Sequence, residues 1–320
     1  MREVYTIGVD IGGTKINIGL IDNQGQVRAL SSIATAVEAG YQTIANHIID
    51  QIYAVLDQAG LKLADVKSLG FGIPGTVNSK EGVVLFAPNL QWQNIAFAQQ
   101  LRAEFASPIF IGQDTHAAAW AEFLFGAGVG CQNLVCLTLG TGIGSGLIVN
   151  QQLYLGSLTY VGEVGHSLVE LNGRPCSCGN RGCLEAYASG SAIQKRGREV
   201  IADYRTLIRD EQKGLTTPDI FWAAEQGHPQ AQQVVAEAGA YLGMGLVNLI
   251  HLFGPEKVII SGGMSNAEAL ILEPVQTFVR ERSYGNVAEL VEITRAKLGE
   301  YAPMIGAAFL YQDDRYRYEG

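Results

Sequence analysis

Three cysteines and one histidine stand close together near the middle of the chain, at His166, Cys176, Cys178 and Cys183. They match the Cys₃His set that holds a structural Zn²⁺ in tetrahedral geometry, with no open position for a substrate. Residues 174–183 read RPCSCGNRGC, a short loop in which three thiolates can converge on one ion. The alternative is a set of free cysteines, with the histidine elsewhere. Because the chain has five cysteines, an odd number, a metal site is favoured over disulfides.

Two glycine-rich segments have the composition of phosphate-binding turns. Residues 10–15 read DIGGTK, and residues 139–144 read LGTGIG. Glycine has no Cβ, so consecutive backbone N–H groups in such turns can point at one anion. The residues of these two predicted phosphate sites are Asp10, Gly12, Gly13, Thr14, Lys15, Gly140, Thr141, Gly142 and Gly144. Because the Asp10 carboxylate would repel a bare phosphate, it indicates a Mg²⁺ ion between the two. The alternative is a pair of ordinary hairpin turns.

Three acidic side chains are placed where they could act on a ligand. Asp114 stands where a predicted strand ends and a helix begins, so it is either a general base for a substrate hydroxyl or the N-cap of that helix. Glu163 lies three residues before His166, and Glu185 lies two residues after Cys183. A metal ion bound there would hold both glutamates close together, where they could accept hydrogen bonds from a polyhydroxylated ligand. The alternative is that both are surface residues.

These residues lie among strands and helices that alternate along the chain. Apolar runs predict strands at residues 66–73, 109–111 and 257–260, and helical spacing predicts helices such as 41–59 and 229–252. Such alternation is typical of an α/β architecture. Residues 10–23 and 137–150 are identical at seven of fourteen positions. This repeat predicts one glycine hairpin that occurs twice, in two similar domains that face a shared cleft; the alternative is coincidence.

The composition argues against several classes of protein. Of the 320 residues, 48% are apolar and 17% are charged, which is enough apolar material for a sizeable core and argues against intrinsic disorder. A net charge of −9 without a basic run argues against nucleic acid as a partner. Residues 123–162 carry no charge, but glycines interrupt them. We therefore predict no membrane partner, no signal peptide and a cytoplasmic location.

Taken together, the motifs resemble the ROK family of bacterial sugar kinases and sugar-responsive repressors, and its glucokinase-like members in particular. The resemblance covers essentially the whole chain. It rests on DIGGTK (10–15), GIPG (72–75), the aspartate region (113–114), LGTGIGSG (139–146), GEVGH (162–166), CSCGNRGCLE (176–185) and ISGG (260–263). It implies an actin-like, hexokinase-type (ribonuclease H-like) fold, in which two α/β domains enclose the active site in a cleft between them.

The expected domains follow from the repeat and this resemblance. Residues 1–117 are expected to form a small N-terminal α/β domain, completed by a C-terminal helix over residues 303–320. Residues 118–302 are expected to form the large α/β domain, with a zinc loop at 160–190. The resemblance also implies a homodimer or homotetramer.

The resemblance further implies roles for single residues. Asp114 falls on the catalytic base of phosphoryl transfer from ATP with Mg²⁺. The two glycine turns fall on the ATP phosphate sites, and Gly262 and Gly263 lie near the adenosine. His166 falls on both a sugar contact and a ligand of the structural Zn²⁺, which it shares with Cys176, Cys178 and Cys183. The other predicted sugar-binding positions are Gly75, Gln113, Asp114, Glu163 and Glu185, with Asn89 as a further residue of the pocket.

One stretch departs from the family pattern. Glucokinase-like members have Asn-Asp-Ala-Asn where this chain has Gln113, Asp114, Thr115 and His116. The base is kept, but a pocket tuned to substrate hydroxyls is sensitive to such changes on either side of it. The expected acceptor is a hexose or hexose-like molecule, with an N-acetylated hexosamine, fructose or a cyclic polyol such as an inositol as alternatives. A sugar-sensing repressor is disfavoured, because Asp10 opens the kinase-like core and we expect no DNA-binding domain before it.

Overall fold

The computed structural model describes residues 4–156, 161–266 and 268–319. Its strands are β1 (Tyr5–Ile11), β2 (Lys15–Asp22), β3 (Val27–Ala34), β4 (Val66–Ile73), β5 (Thr76–Asn78), β6 (Val83–Ala87), β7 (Trp92–Ile95), β8 (Ile109–Gln113), β9 (Leu134–Leu139), β10 (Ile143–Val149), β11 (Gln152–Leu153), β12 (Lys257–Ser261) and β13 (Glu292–Arg295). Its α-helices are α1 (Tyr41–Gln58), α2 (Phe97–Glu104), α3 (Asp114–Phe125), α4 (Glu185–Ala188), α5 (Gly190–Val200), α6 (Thr217–Glu225), α7 (Pro229–Phe253), α8 (Glu268–Arg282), α9 (Val287–Leu290) and α10 (Ala302–Ala308). Parts of the predicted segments, namely residues 1–3, 157–160, 267 and 320, lie outside the described residues.

One sheet of the described chain has the strand order β3-β2-β1-β4-β8. β1 and β2 form an antiparallel hairpin, whereas β4 and β8 run parallel to β1. One face packs against α1, whose Ile44, Ile48 and Ile52 recur at helical spacing. On the other face α10 lies directly on the sheet, because Gly8 has no side chain there: a Cβ on Gly8 would lie 2.0 Å from Met304 O.

A second sheet has the order β11-β10-β9-β12-β13 and repeats the centre of the first. β9 pairs antiparallel with β10 and parallel with β12, as β1 does with β2 and β4. The two hairpins of the sequence repeat therefore hold equivalent places in the two sheets. Their turns differ by one residue, since four residues separate the pair Ile11 and Ile16, and three separate Leu139 and Ile143. A small antiparallel sheet, β5-β6-β7, adjoins the first.

Helices α3 and α10 lie between the two large sheets. They cross in direct contact, because a Cβ on Gly306 would lie 1.7 Å from Ala117 O. Around them is a buried cluster that draws residues from both sheets, among them Ile21, Phe110, Cys136 and Ile148. We propose that the sheets are the centres of the two lobes predicted from the sequence. The boundary predicted at residues 117/118 falls inside α3.

The predicted C-terminal helix over residues 303–320 is wrong in its extent. α10 ends at Ala308, and two short 3₁₀ turns follow, Leu310–Gln312 and Asp314–Tyr316. The backbone then pairs with the edge of β8: Arg317 bridges Phe110, and the Tyr318 N–H donates to Ile109 O at 3.0 Å. The C-terminal segment thus buries the Tyr316 ring against Gly112 and pairs with the free edge of β8. These contacts replace the hydrogen bonds that a longer helix would have made.

Helix α7 is long and apolar enough to cross a membrane, judged by length and composition alone, and is the one such helix in the part of the chain that the structure describes. Its most apolar window has a mean hydropathy of 1.3, and 56% of that window is buried inside the protein. Its buried residues belong to the core beneath the second sheet, together with residues of α6 and α8. That burial is typical of a core helix in a globular protein.

Candidate active site

A cavity of about 680 Å³ opens where three segments meet: the end of β8, the turn between β9 and β10, and the loop from His166 to Glu185, here called the cysteine loop. Many of the residues singled out from the sequence line it: Gly75, Asn89, Gln113, Asp114, Gly140, Thr141, Gly142, Gly144, Glu163, His166, Cys176 and Glu185. Others do not, namely Asp10, Gly12, Gly13, Thr14, Lys15, Cys178, Cys183, Gly262 and Gly263. Segments far apart in sequence therefore share one space large enough for a small ligand.

Asp114 is the first residue of α3, and Gln113 holds the N-cap position. The interpretation of Asp114 as the N-cap is therefore wrong, although its Oδ1 accepts a hydrogen bond from the Thr115 N–H at 2.7 Å. The pKa of Asp114 is raised to about 6, chiefly by burial; the Thr115 N–H opposes this rise and the Glu163 carboxylate adds to it. At neutral pH this carboxylate is ionised and still basic enough to accept a proton from a hydroxyl.

Asp10 is a second half-buried carboxylate near Asp114. Burial, followed by the Asp114 charge, raises the pKa of Asp10 to about 7, while the Asn17 amide opposes the shift. Asn17 Nδ2 lies 3.5 Å from Asp10 Oδ2. A divalent cation beside two such carboxylates would remove the cost of their charges, and hard oxygen ligands fit Mg²⁺.

Gln113 connects two parts of the cavity wall. Its Nε2 donates to Gly75 O at 2.8 Å and to Glu163 Oε1 at 3.3 Å. Gly75 has φ +89°, and a Cβ there would lie 2.2 Å from Phe86 O, so glycine is required at this close approach. Both N–H donors of the Gln113 amide are thus engaged within the protein.

His116 lies behind the cavity wall. Its Nε2 is 3.2 Å from Val161 O, and its Nδ1 is 3.3 Å from the Tyr316 hydroxyl. Burial lowers the pKa of His116 to about 4, so the imidazole is neutral. His116, which departs from the family pattern, therefore holds two segments in place: the turn before Glu163 and the C-terminal segment. It does not contact a ligand.

Glu185 joins the cysteine loop to the second glycine turn. Its Oε2 accepts the Ile143 N–H at 2.9 Å, and its Oε1 accepts the Ser177 hydroxyl at 3.1 Å. A Cβ on Gly142 would lie 2.4 Å from Glu185 Oε2, so a larger residue in the turn would have to displace this carboxylate. The glutamate thereby fixes the turn relative to the loop.

The four predicted metal ligands form a Cys₃His cluster whose ligand atoms all lie within 4.8 Å of one another. His166 Nδ1 is 3.6 Å from Cys176 Sγ, and the Sγ atoms of Cys178 and Cys183 are 3.8 Å apart. Tetrahedral Zn²⁺ with ordinary bond lengths separates N and S ligands by about 3.6 Å and two S ligands by about 3.8 Å. Burial raises the pKa of Cys183 to about 12, so its thiolate needs a cation. The donor set fits zinc.

The first glycine turn lies beside the cavity wall. A Cβ on Gly13 would lie 3.2 Å from Asn89, which does line the cavity. Lys15 is engaged elsewhere, since its Nζ lies 3.2 Å from Glu300 Oε2 and above the Tyr301 ring. Gly262 packs on the end of β9, where a Cβ would lie 2.3 Å from Leu139 O. Phosphate or adenosine contacts of these residues stay predictions.

Comparison with known proteins shows the family of this chain. The pattern of the ROK family matches residues 6–314. The chain belongs to the ROK family. It is 34% identical to a glucokinase of Streptomyces coelicolor over 316 residues, which cover 96% of this chain and 98% of that protein. It is 29% identical over 309 residues to the xylose repressor of Bacillus subtilis, covering 97% of this chain and 77% of the repressor.

The ROK fold is confirmed by a solved structure. The crystal structure of a ROK family glucokinase from Streptomyces griseus, in complex with glucose and AMPPNP, matches this protein with a TM-score of 0.82 and 34% identity. The match covers 96% of this chain and 98% of that chain. The predicted actin-like sugar-kinase fold is therefore correct, and the chain is a glucokinase-like member of the family.

Part of the wall of this ROK cavity was not predicted. Helix α5 brings Ser191, Lys195 and Arg196 to it. The helix is attached to the second glycine turn, because the Gly190 N–H donates to Gly140 O at 2.8 Å. The adjacent basic pair in SGSAIQKR was the available signal. Thr138, the penultimate residue of β9, also lines the cavity and was missed.

Proposed function

We propose that this protein transfers the terminal phosphoryl group of ATP to a hydroxyl of a hexose or hexose-like substrate. The observation that carries the proposal is the half-buried Asp114 carboxylate, which shares one cavity with a glycine turn suited to phosphate and with polar groups suited to a sugar. The glucokinase relatives, one of them solved with glucose and AMPPNP, support both ligands.

In the proposed reaction, Asp114 accepts the proton of the acceptor hydroxyl while the hydroxyl oxygen attacks the terminal phosphorus and ADP leaves. The N–H groups of Thr141 and Gly142 and the Thr141 hydroxyl bind the phosphates from the second turn. Mg²⁺, when held by Asp10 directly or through water, would offset the negative charge of the phosphates and leave Asp114 free to act as the base. The first turn contributes N–H groups from the other lobe when the cleft closes and excludes water.

The Cys₃His cluster has a structural role in this proposal. Zinc there would fix the loop between His166 and Glu185, both of which line the cavity. A site with four protein ligands keeps no position for a substrate, so it stiffens the loop and takes no part in the chemistry. We further infer a cytoplasmic homodimer or homotetramer, as the family resemblance implies.

Glucose is the first acceptor to test, with an N-acetylated hexosamine, fructose and an inositol as alternatives. Each hydroxyl of a bound sugar needs a partner, because a buried polar group without one is costly. Both N–H groups of the Gln113 amide already donate to Gly75 and Glu163, so this side chain can only accept a hydrogen bond from the sugar. We expect a preference for an acceptor that presents a hydroxyl donor there.

The test is an ADP-release assay over glucose, fructose, N-acetylated hexosamines and inositols, with ATP and Mg²⁺. We expect one acceptor class to exceed the others in kcat/KM by at least about a hundredfold, because misplaced hydroxyls leave buried groups unpaired. ADP release without any acceptor serves as the blank. Sugar binding by calorimetry without ADP release from any acceptor would contradict the kinase and favour a sugar sensor, as in the repressor relatives.

A further inference from the structure

The Thr138 hydroxyl is a buried polar group without a partner. Its Oγ1 is enclosed by protein and makes no hydrogen bond, yet Thr138 is part of the cavity wall. The other enclosed side-chain atoms without a partner among the described residues belong to Ser68, Trp92, Gln100 and Ser283, and none of these four residues lines the cavity. Buried polar groups are almost always satisfied, so an orphaned hydroxyl at a ligand cavity indicates a partner that the ligand supplies.

The alternation along β9 shows which way this hydroxyl faces. Leu137 and Leu139 pack into the core beneath the second sheet, whereas Cys136 packs into the cluster around α3. Thr138 points to the same face of the sheet as Cys136, because successive side chains of a strand point to opposite faces. Its cross-strand partner is Gly144, where a Cβ would lie 2.3 Å from Thr115 Cγ2. Thr138 therefore faces the start of α3, next to Asp114.

Thr138 also occupies the position in its hairpin that Asp10 occupies in the other. Each is the penultimate residue of the central strand of its sheet, one residue before the last strand residue, Ile11 or Leu139. Asp10 pairs with Asn17 on the antiparallel neighbour and with Gly72 on the parallel one, and Thr138 pairs likewise with Gly144 and Ser261. The two sheets thus direct a carboxylate and a hydroxyl at the same region near Asp114.

We propose that the Thr138 hydroxyl donates a hydrogen bond to the terminal phosphoryl group of the bound nucleotide. This inference rests on the proposed kinase function. We assign the hydrogen bond to the terminal phosphoryl group because the transferred phosphorus must lie next to the acceptor hydroxyl that Asp114 deprotonates. Thr138 faces this region beside Asp114. A hydroxyl is a suitable donor there, since Asp10 and Asp114 can only accept hydrogen bonds when ionised.

The experiment compares Thr138→Val and Thr138→Ser with the wild type. Thr138→Val should raise the Tm of the ligand-free protein, because it removes an unpartnered hydroxyl at nearly constant shape. It should weaken binding of Mg·AMPPNP by roughly tenfold, measured by calorimetry, because a hydrogen bond to a charged group is lost. Binding of Mg·ADP, which lacks the third phosphoryl group that is transferred, should change by less than about twofold, and Thr138→Ser should restore AMPPNP binding.

Ser68→Ala is the matched control, since Ser68 Oγ is equally enclosed and unpartnered but lies away from the cavity. It should raise the Tm and leave both nucleotide affinities unchanged. Equal binding of AMPPNP by the wild type and Thr138→Val would overturn the inference and leave the kinase proposal standing. So would equal weakening of AMPPNP and ADP. If the wild type binds no nucleotide, both proposals fall together.

Discussion

At the scale of single residues, the site combines function with a cost in stability. Asp10 and Asp114 are half-buried carboxylates whose pKa values are raised to about 7 and about 6. A raised pKa means that the folded chain binds the proton more tightly than the unfolded chain does. The free energy of unfolding is therefore lowered as the pH rises from the ordinary value towards the raised one. Destabilising groups of this kind are typical of active sites.

Replacing Asp114 by asparagine should stabilise the ligand-free protein. The asparagine amide carries no charge but keeps an oxygen for the Thr115 N–H, so Asp114→Asn removes the buried charge alone. We expect the free energy of unfolding to rise by about 3 kcal/mol at pH 8 and by about half of that at pH 5, where the folded wild type is largely protonated. Urea unfolding at both pH values measures the difference. A loss of stability at pH 8, or a gain that does not depend on pH, would contradict the raised pKa.

The same carboxylate predicts how activity depends on pH. A general base must be ionised, and Asp114 loses its charge as the pH falls through about 6. We expect kcat/KM to be level above pH 7 and to fall by about tenfold per unit below pH 6. The apparent value belongs to the coupled carboxylates rather than to one of them. A profile that stays flat down to pH 4.5 would exclude this base.

At the scale of elements, the cysteine loop holds one side of the cavity. Its chain includes only short helices and isolated β-bridges, and the Cys₃His cluster and Glu185 attach it to the cavity wall. Long loops without secondary structure are otherwise costly to order. We therefore expect sugar binding at this side of the cavity to depend on the metal ion.

Cys178→Ala should lose zinc and sugar affinity together. Removing one of four ligands weakens a structural site strongly, and the loop that carries His166 and Glu185 is then released. We expect the bound zinc to fall well below one per chain and the sugar KM to rise by at least about tenfold, by metal analysis and steady-state kinetics. Cys131→Ala, a buried cysteine outside the cluster, is the control and should keep its zinc. Full sugar affinity in metal-free Cys178→Ala would show that the metal is dispensable.

At the scale of the whole molecule, the fold could be predicted from the sequence because its signals are local and repeated. The glycine hairpin at residues 10–23 recurs at 137–150, and both copies take the same place in their sheets. The Cys₃His set could be predicted because three of its members lie within eight residues. In both cases short-range spacing determines the structure.

What could not be predicted depends on contacts between distant segments. α10 stops at Ala308 because Tyr316 and the following backbone return to β8, about 200 residues earlier in the chain. His116 is withdrawn from the cavity by partners at Val161 and Tyr316. Thr138 is an ordinary strand residue by sequence, and only its neighbours across the sheet show that it faces Asp114.

The measurement that tests the central claim most directly is the turnover of Asp114→Asn alongside its ligand affinities. With the best acceptor from the screen, we expect kcat to fall by about a thousandfold, while calorimetric affinities for the sugar and for Mg·AMPPNP stay within about threefold of the wild type. That result would separate proton transfer from binding. Turnover close to that of the wild type would contradict the role of Asp114 as the base.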